Sequence, residues 1–320
     1  MSSRSDRPEV SIVSPVFDEE AGLAALVERV VRAVEPVADS FEIVLVDDGS
    51  RDGSWAEIER AHARDPRVRG VGLSRNFGKE SAIVAGLEAA RGDAVIVMDS
   101  DLQHPPALLP ELVARWRAGA EVVEAVKLDR TGQALGGRLA STLFNRVFER
   151  LTGVDLVGAS DYRLLSRRAV TALLALPERT TFFRGTSTWI GFPREQVPFR
   201  VDPRVTGRSR WGFRALLRLA LNGITSFTPA PLHLVTIGAA LFAVFAVVLG
   251  VQTLVRFLQG DAVTGFTTVI LLLLIQGTFI LLGLGIVGQY LARIHDEVKN
   301  RPRYLVARSS PPDREPDARR

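Results

Sequence analysis

The chain has 320 residues, 47% of them hydrophobic, and contains no cysteine, which excludes a disulfide framework, thiolate metal ligands and a thiol nucleophile. Its formal net charge is +4, from 40 Lys and Arg against 36 Asp and Glu, and so small an excess does not indicate a nucleic-acid partner. Residues 1–9 form a polar N-terminal tail without the apolar core of a signal peptide, so we expect no cleavable signal.

The first half of the chain alternates short apolar runs with amphipathic stretches, which predicts strands and helices in turn. The strands are rich in Val, Ile and Leu, which predicts burial on both faces and a mostly parallel, doubly wound α/β sheet. The predicted strands cover residues 10–16, 42–46, 68–73, 94–98 and 121–126. The predicted helices cover residues 19–34, 54–64, 79–91, 106–117 and 138–151. The last of these helices fits either the sheet or a membrane surface.

Residues 232–255 and 262–292 contain no Asp, Glu, Lys or Arg. Each segment exceeds the roughly 20 residues that a helix needs to cross a bilayer, so we expect a two-helix transmembrane hairpin. Basic residues on both outer flanks predict that both termini are cytoplasmic, at a plasma or inner membrane. The predicted organisation is a cytoplasmic catalytic domain over 10–212, a juxtamembrane segment over 213–231, transmembrane helices over 232–256 and 264–292, and a basic cytoplasmic segment over 293–320. The Pro-rich end, residues 309–320, is predicted to be disordered.

Acidic residues follow three of the predicted strands. They are Asp18, Glu19 and Glu20 after the first strand, Asp47 and Asp48 at the second, and Asp99 and Asp101 after the fourth. Because ligands bind at the carboxyl ends of parallel strands, we expect these clusters to line one site. The carboxylates of Asp99 and Asp101 suit Mg²⁺ or Mn²⁺, which would bridge the phosphates of a nucleotide. A solvated turn before a helix is the alternative for Asp99 and Asp101 taken alone.

Further motifs accompany these clusters in a fixed order. They are residues 14–20, 46–53, 73–81 (LSRNFGKES), 99–106, 160–168 and 204–211, followed by the apolar hairpin. On these motifs the chain resembles family 2 glycosyltransferases of the GT-A fold, from residue 10 to about residue 304. More narrowly, it is similar to polyprenyl-phosphate glycosyltransferases, the group of dolichol-phosphate mannose synthases and bactoprenol glucosyltransferases.

The resemblance implies an activity and its partners. A hexose-type sugar would pass from a UDP- or GDP-sugar to an undecaprenyl, decaprenyl or dolichyl phosphate, in a metal-dependent, inverting transfer that serves cell-envelope glycan or glycosylation pathways. The implied cofactor is Mg²⁺ or Mn²⁺, and the implied partners are the nucleotide-sugar, the polyprenyl-phosphate lipid and the membrane. No nucleic acid is expected, and assembly into a homo-oligomer is left open.

The resemblance also implies roles for individual residues. The nucleoside pocket is assigned to Pro15, Phe17, Glu19, Asp47 and Asp48, with Asp99 beside them. The metal and the donor diphosphate are assigned to Asp99, Asp101 and Gln103. The catalytic residues beside the acceptor phosphate are Asp161 and Arg163, and phosphate contacts are assigned to Arg138, Arg204 and Arg210. The chain departs from the family pattern at Phe17 and Asp18, where Tyr and Asn are common, and at Ser100, where Ala is common.

Two other functions fit parts of the sequence. A processive polysaccharide synthase would carry Gln-x-x-Arg-Trp before its spans, but Gly207 begins the run that ends in Arg210 and Trp211 here, and two spans are too few for an export channel. A non-catalytic membrane scaffold with a nucleotide-sugar-binding domain is the other reading. The intact acidic cluster and Asp161 favour catalysis.

Overall fold

A computed structural model describes residues 7–127, 159–178, 182–199, 230–259, 265–299 and 301–310. Arg138, Arg204 and Arg210, which were predicted to contact phosphate, lie outside these residues. The chain divides into two compact units, one of Met1–Trp211 with Pro302–Arg320 and one of Gly212–Arg301. The first unit is therefore discontinuous in sequence, whereas the predicted catalytic domain ended at residue 212.

The first unit is built on one sheet. Its strands are β1 (Val10–Val16), β2 (Phe41–Asp47), β3 (Val68–Leu73), β4 (Ala94–Val97), β5 (Val122–Lys127), β6 (Ala159–Ser166), β7 (Arg194–Phe199) and β8 (Val306–Ser310). Its helices are α1 (Glu20–Val34), α2 (Ser54–Arg64), α3 (Lys79–Ala89), α4 (Leu109–Arg117), α5 (Arg167–Leu174) and α6 (Phe183–Trp189). A 3₁₀ turn, Pro106–Leu108, leads into α4. The five strands and four helices that were predicted before residue 128 appear within a few residues of their predicted bounds. The fifth predicted helix, over 138–151, lies outside the described residues.

The strands lie in the order β7-β5-β6-β4-β1-β2-β3-β8. Strands β4, β1, β2 and β3 are parallel neighbours, because a helix returns the chain between successive strands. Strand β6 runs antiparallel between β4 and β5, and β8 runs antiparallel along β3. The sheet is thus a mixed α/β sheet of the predicted doubly wound class, with antiparallel strands that the apolar pattern did not reveal.

Apolar side chains cover both faces of this sheet. On one face α1, α2 and α4 bury residues such as Leu26, Ile58 and Leu112 against the strands. On the other face α3 and α5 bury residues such as Leu87 and Val170. Burial on both faces explains why β1 to β4 read as nearly continuous apolar runs. The polar ends of the strands are left to form the site.

The C-terminal strand corrects one prediction. Ser309 and Ser310 were predicted to lie in a disordered tail, but they pair with Val71 and Gly70 as part of β8. The prediction was wrong for these two residues because β8 finds its backbone partners in β3, far away in sequence, and local composition carries no sign of that pairing. Residues beyond Ser310 lie outside the described part of the chain.

The second unit contains two long helices, α7 (Ala230–Leu258) and α8 (Phe266–Val298). Within them Val235–Arg256 and Leu272–Val298 are long and apolar enough to cross a membrane, with mean hydropathies of 2.3 and 1.9. Large apolar side chains such as Leu241 and Leu281 remain exposed in this unit. The two helices are in contact at Gly238, where an added Cβ would lie 2.1 Å from the ring of Phe279. Helix α7 extends beyond its predicted bounds of 232–256 at both ends, whereas α8 begins after its predicted start at 264 and extends beyond its predicted end at 292.

Candidate active site

The loops after β1 and β2 are joined by hydrogen bonds from backbone N–H groups to side-chain oxygens. The N–H of Asp18 donates to Ser50 Oγ at 3.0 Å, and the N–H of Arg51 donates to Asp18 Oδ1 at 2.8 Å. Asp18 has a φ of 53°, in the left-handed region that Asn and Asp tolerate better than most residues. The departure from Asn to Asp at this position is therefore compatible with the backbone, and the two acidic clusters meet as predicted.

Asp48 fixes the segment that leads into α3. Its carboxylate accepts hydrogen bonds from the N–H groups of Phe77 at 2.7 Å and Gly78 at 2.9 Å. Burial raises the pKa of Asp48, although these two hydrogen bonds act in the opposite direction. Gly49 lies against the same segment, with a φ of 71° and no space for a Cβ beside Arg75. Asp48 thereby positions the start of α3.

The residues predicted to line the nucleoside pocket differ in accessibility. Pro15, Asp47 and Asp48 are buried, whereas the ring of Phe17 is 43% exposed and Glu19 is partly exposed. Asp47 accepts a hydrogen bond from the N–H of Ser50 and another from the side chain of Arg308. Phe17 is therefore the most accessible surface of this set for a ligand.

The loop after β4 carries the predicted metal ligands. The N–H of Gln103 donates to Asp101 Oδ1 at 3.0 Å, and this hydrogen bond forms a tight turn from Asp101 to Gln103. Leu102 has a φ of 60° although it is a non-glycine residue, so the loop is held in a strained conformation. Asp99, Asp101 and Gln103 are partly exposed, while Leu102 is buried. Strain of this kind is commonly found at ligand-binding segments.

The buried side chain of His104 holds the backbone of Asp99. The N–H of Asp99 donates to His104 Nδ1 at 3.0 Å, and the imidazole stacks on the ring of Tyr162 with centroids 5.0 Å apart. Burial lowers the pKa of His104, so the ring is neutral near pH 7. Because Nδ1 accepts a hydrogen bond, the proton is assigned to Nε2, which lies 3.8 Å from Asp99 Oδ2. His104 lies inside the 99–106 motif, but the sequence analysis assigned it no role.

Four charged groups converge beside this loop. Asp161, buried on β6, receives Lys79 Nζ at 2.6 Å and Arg184 Nε at 2.6 Å. The same ammonium lies 2.5 Å from Asp99 Oδ1. Lys79 therefore joins the predicted donor-side carboxylate to the predicted acceptor-side carboxylate, which come from distant parts of the sequence.

The charges around Asp161 determine its ionisation. Burial alone would raise the pKa of Asp161, but the hydrogen bonds and positive charges of Arg184 and Lys79 together hold that pKa well below its ordinary value. Asp161 is therefore anionic at every pH near neutrality. A carboxylate with so low a proton affinity is a weak base and a strong anchor for cations.

Arg163 and Arg184 occupy contrasting environments. The Arg163 side chain is 1% exposed, and it donates to Glu124 at 3.2 Å, to Ser187 and to the carbonyl of Ser160. The Arg184 side chain is 38% exposed and extends from α6 toward the site. Arg184, not Arg163, thus presents a guanidinium to a ligand in this arrangement. Sequence reasoning missed Arg184, whose only local signal is one arginine between an aromatic residue and a glycine in Phe183-Arg184-Gly185.

Glu80 is a further carboxylate next to this group. Its Oε2 accepts the N–H of Phe183 at 2.8 Å, at the first residue of α6. Burial, with a smaller contribution from Asp161, raises the pKa of Glu80 from 4.5 to about 7. Glu80 therefore titrates near neutrality while it holds the helix that carries Arg184.

The residues after β4 fit a divalent cation. Asp99 Oδ1 is buried and contacts Lys79 as an ion pair, but it has no hydrogen bond of good geometry among the described residues. Across those residues no group of three or more His, Cys, Asp or Glu side chains forms a complete cage. Mg²⁺ is usually held by one or two carboxylates together with substrate phosphates, so Asp99 and Asp101 suit a cation that arrives with a nucleotide.

The sequence of this chain matches a known family along half its length. Residues 11–171 match Glycosyl transferase family 2. The chain belongs to this family. An uncharacterised glycosyltransferase of Synechocystis sp. is 36% identical over 93% of this chain and 95% of that protein. The prophage-derived bactoprenol glucosyl transferase of Shigella flexneri is 35% identical over 94% of this chain and 98% of that protein.

Solved structures agree on the fold of this family 2 glycosyltransferase. Glucosyl-3-phosphoglycerate synthase from Mycobacterium tuberculosis, in a complex with Mn²⁺, UDP-glucose and phosphoglyceric acid, matches with a TM-score of 0.50. It is 22% identical and covers 70% of this chain and 80% of that one. This likeness confirms the predicted GT-A fold, and the family match confirms the prediction of a glycosyltransferase.

Proposed function

We propose that this glycosyltransferase transfers a hexose-type sugar from a UDP- or GDP-sugar to a polyprenyl phosphate, with inversion at the anomeric carbon. The observation that carries this proposal is the cluster in which Lys79 joins Asp99 to Asp161, with Arg184 on the other side of Asp161. Such a cluster would put oriented cations between a donor diphosphate and an acceptor phosphate. A bactoprenol glucosyl transferase at 35% identity over nearly the full chain supports a lipid acceptor.

The donor end would use the loop after β4. Asp99 and Asp101, with Gln103 beside them, are the residues that would hold Mg²⁺ or Mn²⁺ together with the donor diphosphate. When bound, the cation would stabilise the negative charge of the departing nucleoside diphosphate. His104 would keep Asp99 in place through the hydrogen bond to its backbone N–H. Phe17 would lie along the base, which its exposed ring can contact.

The acceptor end would need little proton transfer. A lipid phosphate is already anionic near neutral pH, so one of its oxygens can attack the anomeric carbon directly while the bond to the nucleoside diphosphate breaks. Arg184 would bind the phosphate, because a guanidinium can donate to two of its oxygens at once. Positioning and charge neutralisation would therefore provide most of the rate enhancement.

Asp161 would act as an orienting residue in this mechanism. Its lowered pKa makes it a poor base, and its two oxygens hold the side chains of Lys79 and Arg184 in place. Arg163 would support the same region by packing between β6 and α6, with its guanidinium engaged by Glu124 and Ser187. The predicted phosphate contacts of Arg138, Arg204 and Arg210 remain part of the proposal.

The second unit would anchor the enzyme. We propose that α7 and α8 cross the plasma or inner membrane as a hairpin, with both termini on the cytoplasmic side where basic residues flank the helices. Catalysis would then take place at the surface from which the lipid phosphate extends. A reporter fused after Arg320 that is active only outside the cytoplasm would contradict this topology.

The proposal is tested with the full chain in detergent or proteoliposomes. A panel of labelled UDP- and GDP-sugars is incubated with undecaprenyl phosphate and Mg²⁺, and lipid products are separated by chromatography. We expect one donor to give a lipid carrying a single sugar, no product in EDTA, recovery with Mg²⁺ or Mn²⁺, and no product from Asp99→Asn. Full activity in chelator would contradict the metal site, and transfer to water alone or to a growing polysaccharide would contradict the acceptor.

A further inference from the structure

The C-terminal strand brings a charged side chain to the catalytic sheet. Strand β8 pairs with β3 so that Arg308 lies opposite Gly72, and β3 pairs with β2 so that Gly72 lies opposite Asp47. Asp47, Gly72 and Arg308 therefore form a row across three neighbouring strands, at the end of β2 where ligands bind in this class of sheet. The row joins the last described strand of the chain to the acidic cluster after β2.

Gly72, the middle residue of this row, has no side chain, and the side chain of Arg308 occupies the space above it. An added Cβ at Gly72 would lie 2.5 Å from Arg308 Cγ, so the arginine stem crosses directly over this position. Strands are about 4.8 Å apart, so a long side chain can reach over one strand to the next when nothing stands between them. The guanidinium accordingly donates from Nη2 to Asp47 Oδ2 at 3.0 Å.

A ring holds the guanidinium from one side. Arg308 Cζ lies 4.3 Å from the ring centroid of Trp55, the second residue of α2. Stacking on an aromatic face and bonding to a carboxylate restrict the guanidinium to one orientation. The arginine is thus pre-organised before any ligand arrives, which lowers the entropy lost on binding.

Exposure differs between the two members of the ion pair. The side chain of Asp47 is fully buried, while the side chain of Arg308 is 46% exposed. Asp47 was predicted to contact the nucleoside, yet in this arrangement its carboxylate lies beneath the arginine. This part of the rim therefore presents the Arg308 guanidinium, a cation, to a ligand. The guanidinium has further N–H donors besides the one that is hydrogen-bonded to Asp47.

We propose that Arg308 is a donor-binding residue, supplied by the C-terminal strand, which contacts the nucleoside end of the nucleotide-sugar while Asp47 holds it in place. Base carbonyls and ribose hydroxyls are acceptors that suit its N–H groups. This inference rests on the proposed function, because it names a residue for the nucleotide that the enzyme would use. It assigns to β8 a part in donor binding beyond covering the edge of β3.

The test is a calorimetric titration of the full chain in detergent with UDP and with GDP in the presence of Mg²⁺. For the nucleotide that the wild-type protein binds, we expect Arg308→Ala to weaken affinity about 10- to 100-fold, as for the loss of a charged hydrogen bond. Arg308→Lys keeps the charge without the planar fork and should show a smaller loss. The KM for polyprenyl phosphate should not change in either variant.

Arg303→Ala is the matched control. Arg303 belongs to the same terminal segment and donates to the carbonyls of Leu176 and Glu178, away from Asp47. We expect its nucleotide affinity to stay within about twofold of wild type. Melting curves of all three variants verify that the fold is retained.

Three results would overturn the inference. Unchanged affinity in Arg308→Ala would reduce β8 to an edge strand, and tighter binding would mean that Arg308 blocks the nucleoside instead of holding it. An equal loss in Arg303→Ala would mean that the terminal segment acts only through stability. If the wild-type protein binds a nucleotide but forms no lipid product, the proposed function is wrong, and the role of Arg308 is still decided by the nucleotide titration. If the wild-type protein binds neither nucleotide, both the proposed function and this inference are wrong.

Discussion

The same arrangement occurs twice at the rim of the sheet. Asp161 and Asp47 are both buried aspartates at strand ends, and each is paired with an arginine whose side chain remains substantially exposed. In the pair on β6, Asp161 also binds Lys79, which continues to Asp99. In the pair on β2, the arginine instead stacks on Trp55.

The difference lies in what each buried carboxylate holds. Asp161 orients two cations and connects them to the loop after β4, which suits a site where charge moves between two substrates. Asp47 orients one cation against an aromatic ring, which suits recognition of an uncharged group. Removing Asp161 should therefore affect turnover most, and disturbing the pair on β2 should affect binding.

The largest effect is expected for Asp161→Asn. The amide keeps the shape but loses the charge that fixes Lys79 and Arg184, so we expect kcat to fall by about 10²- to 10³-fold. The dissociation constant of the donor nucleotide should stay within about twofold, because this pair is assigned to the acceptor end of the site and not to the nucleoside pocket. Steady-state kinetics and calorimetry on the same preparation measure both quantities. Loss of nucleotide affinity with unchanged lipid dependence would reverse the assignment of this pair.

The two neighbouring arginines separate catalysis from stability. Arg184→Ala should raise the KM for polyprenyl phosphate by about 10- to 100-fold through loss of a charged hydrogen bond. Arg163→Ala removes the nearer of the two arginines that pair with the buried Glu124, at 3.2 Å, and leaves only Arg194 at 3.6 Å, so we expect the free energy of unfolding to fall by up to about 3–5 kcal/mol. Denaturant titration beside lipid-dependent kinetics distinguishes the two variants. A similar loss of stability in both, with no change in KM, would count against Arg184 as the phosphate ligand.

A smaller effect is expected from Gly72→Ala, which disturbs the pair on β2 without removing a charge. The new methyl group would lie 2.5 Å from Arg308 Cγ and displace the arginine stem. Because a flexible side chain can move aside, we expect nucleotide affinity to fall only about 3- to 10-fold. Gly250→Ala, at a helical position with open space around it, is the control for a glycine substitution. Calorimetric affinities that are equal in both variants would show that the position of the arginine stem is unimportant.

The smallest effect concerns Glu80, beside the pair on β6. Its pKa is raised from 4.5 to about 7 in the folded protein, so folding favours the protonated form. This contribution to stability is fully present below about pH 4.5 and is lost as the pH rises through about 7. Glu80→Gln should keep the neutral form and flatten the pH dependence of the melting temperature over this range, whereas Glu59→Gln on an exposed surface should not. A steeper dependence in Glu80→Gln would contradict the buried state of this carboxylate.

The strands that could be predicted are those that are buried on both faces, because most of their consecutive residues are apolar. Strands β1 to β4 are buried on both faces by helices, so each is a short apolar run. Strand β6 was missed because it carries Asp161 and Arg163 on one face, paired with groups from α3, α6 and β5. Strand β8 was missed because its pairing partner is distant in sequence.

The candidate site could be predicted in its acidic groups and not in its cations. Asp99 and Asp101 were identified because carboxylates after strands form recognisable clusters, and Asp161 was identified from the resemblance to the family. Lys79 lay inside a motif without an assigned role, and Arg184 and Arg308 are isolated arginines whose partners come from other parts of the chain. Among the 40 Lys and Arg of the sequence, only tertiary contacts distinguish these three.

The position of β8 in the chain sets an order of assembly. The ribosome completes α7 and α8 before it makes Val306–Ser310, so the catalytic sheet lacks its last edge strand while the apolar helices leave the exit tunnel. Until then, β3 is an unpaired edge, and Asp47 is without the arginine that covers it. If Arg308 binds the donor as inferred, a nascent chain cannot hold the nucleotide-sugar fully before its two long apolar helices have been made. Synthesis of β8 would then act as a quality check, so that donor binding is complete only after both apolar helices have been made.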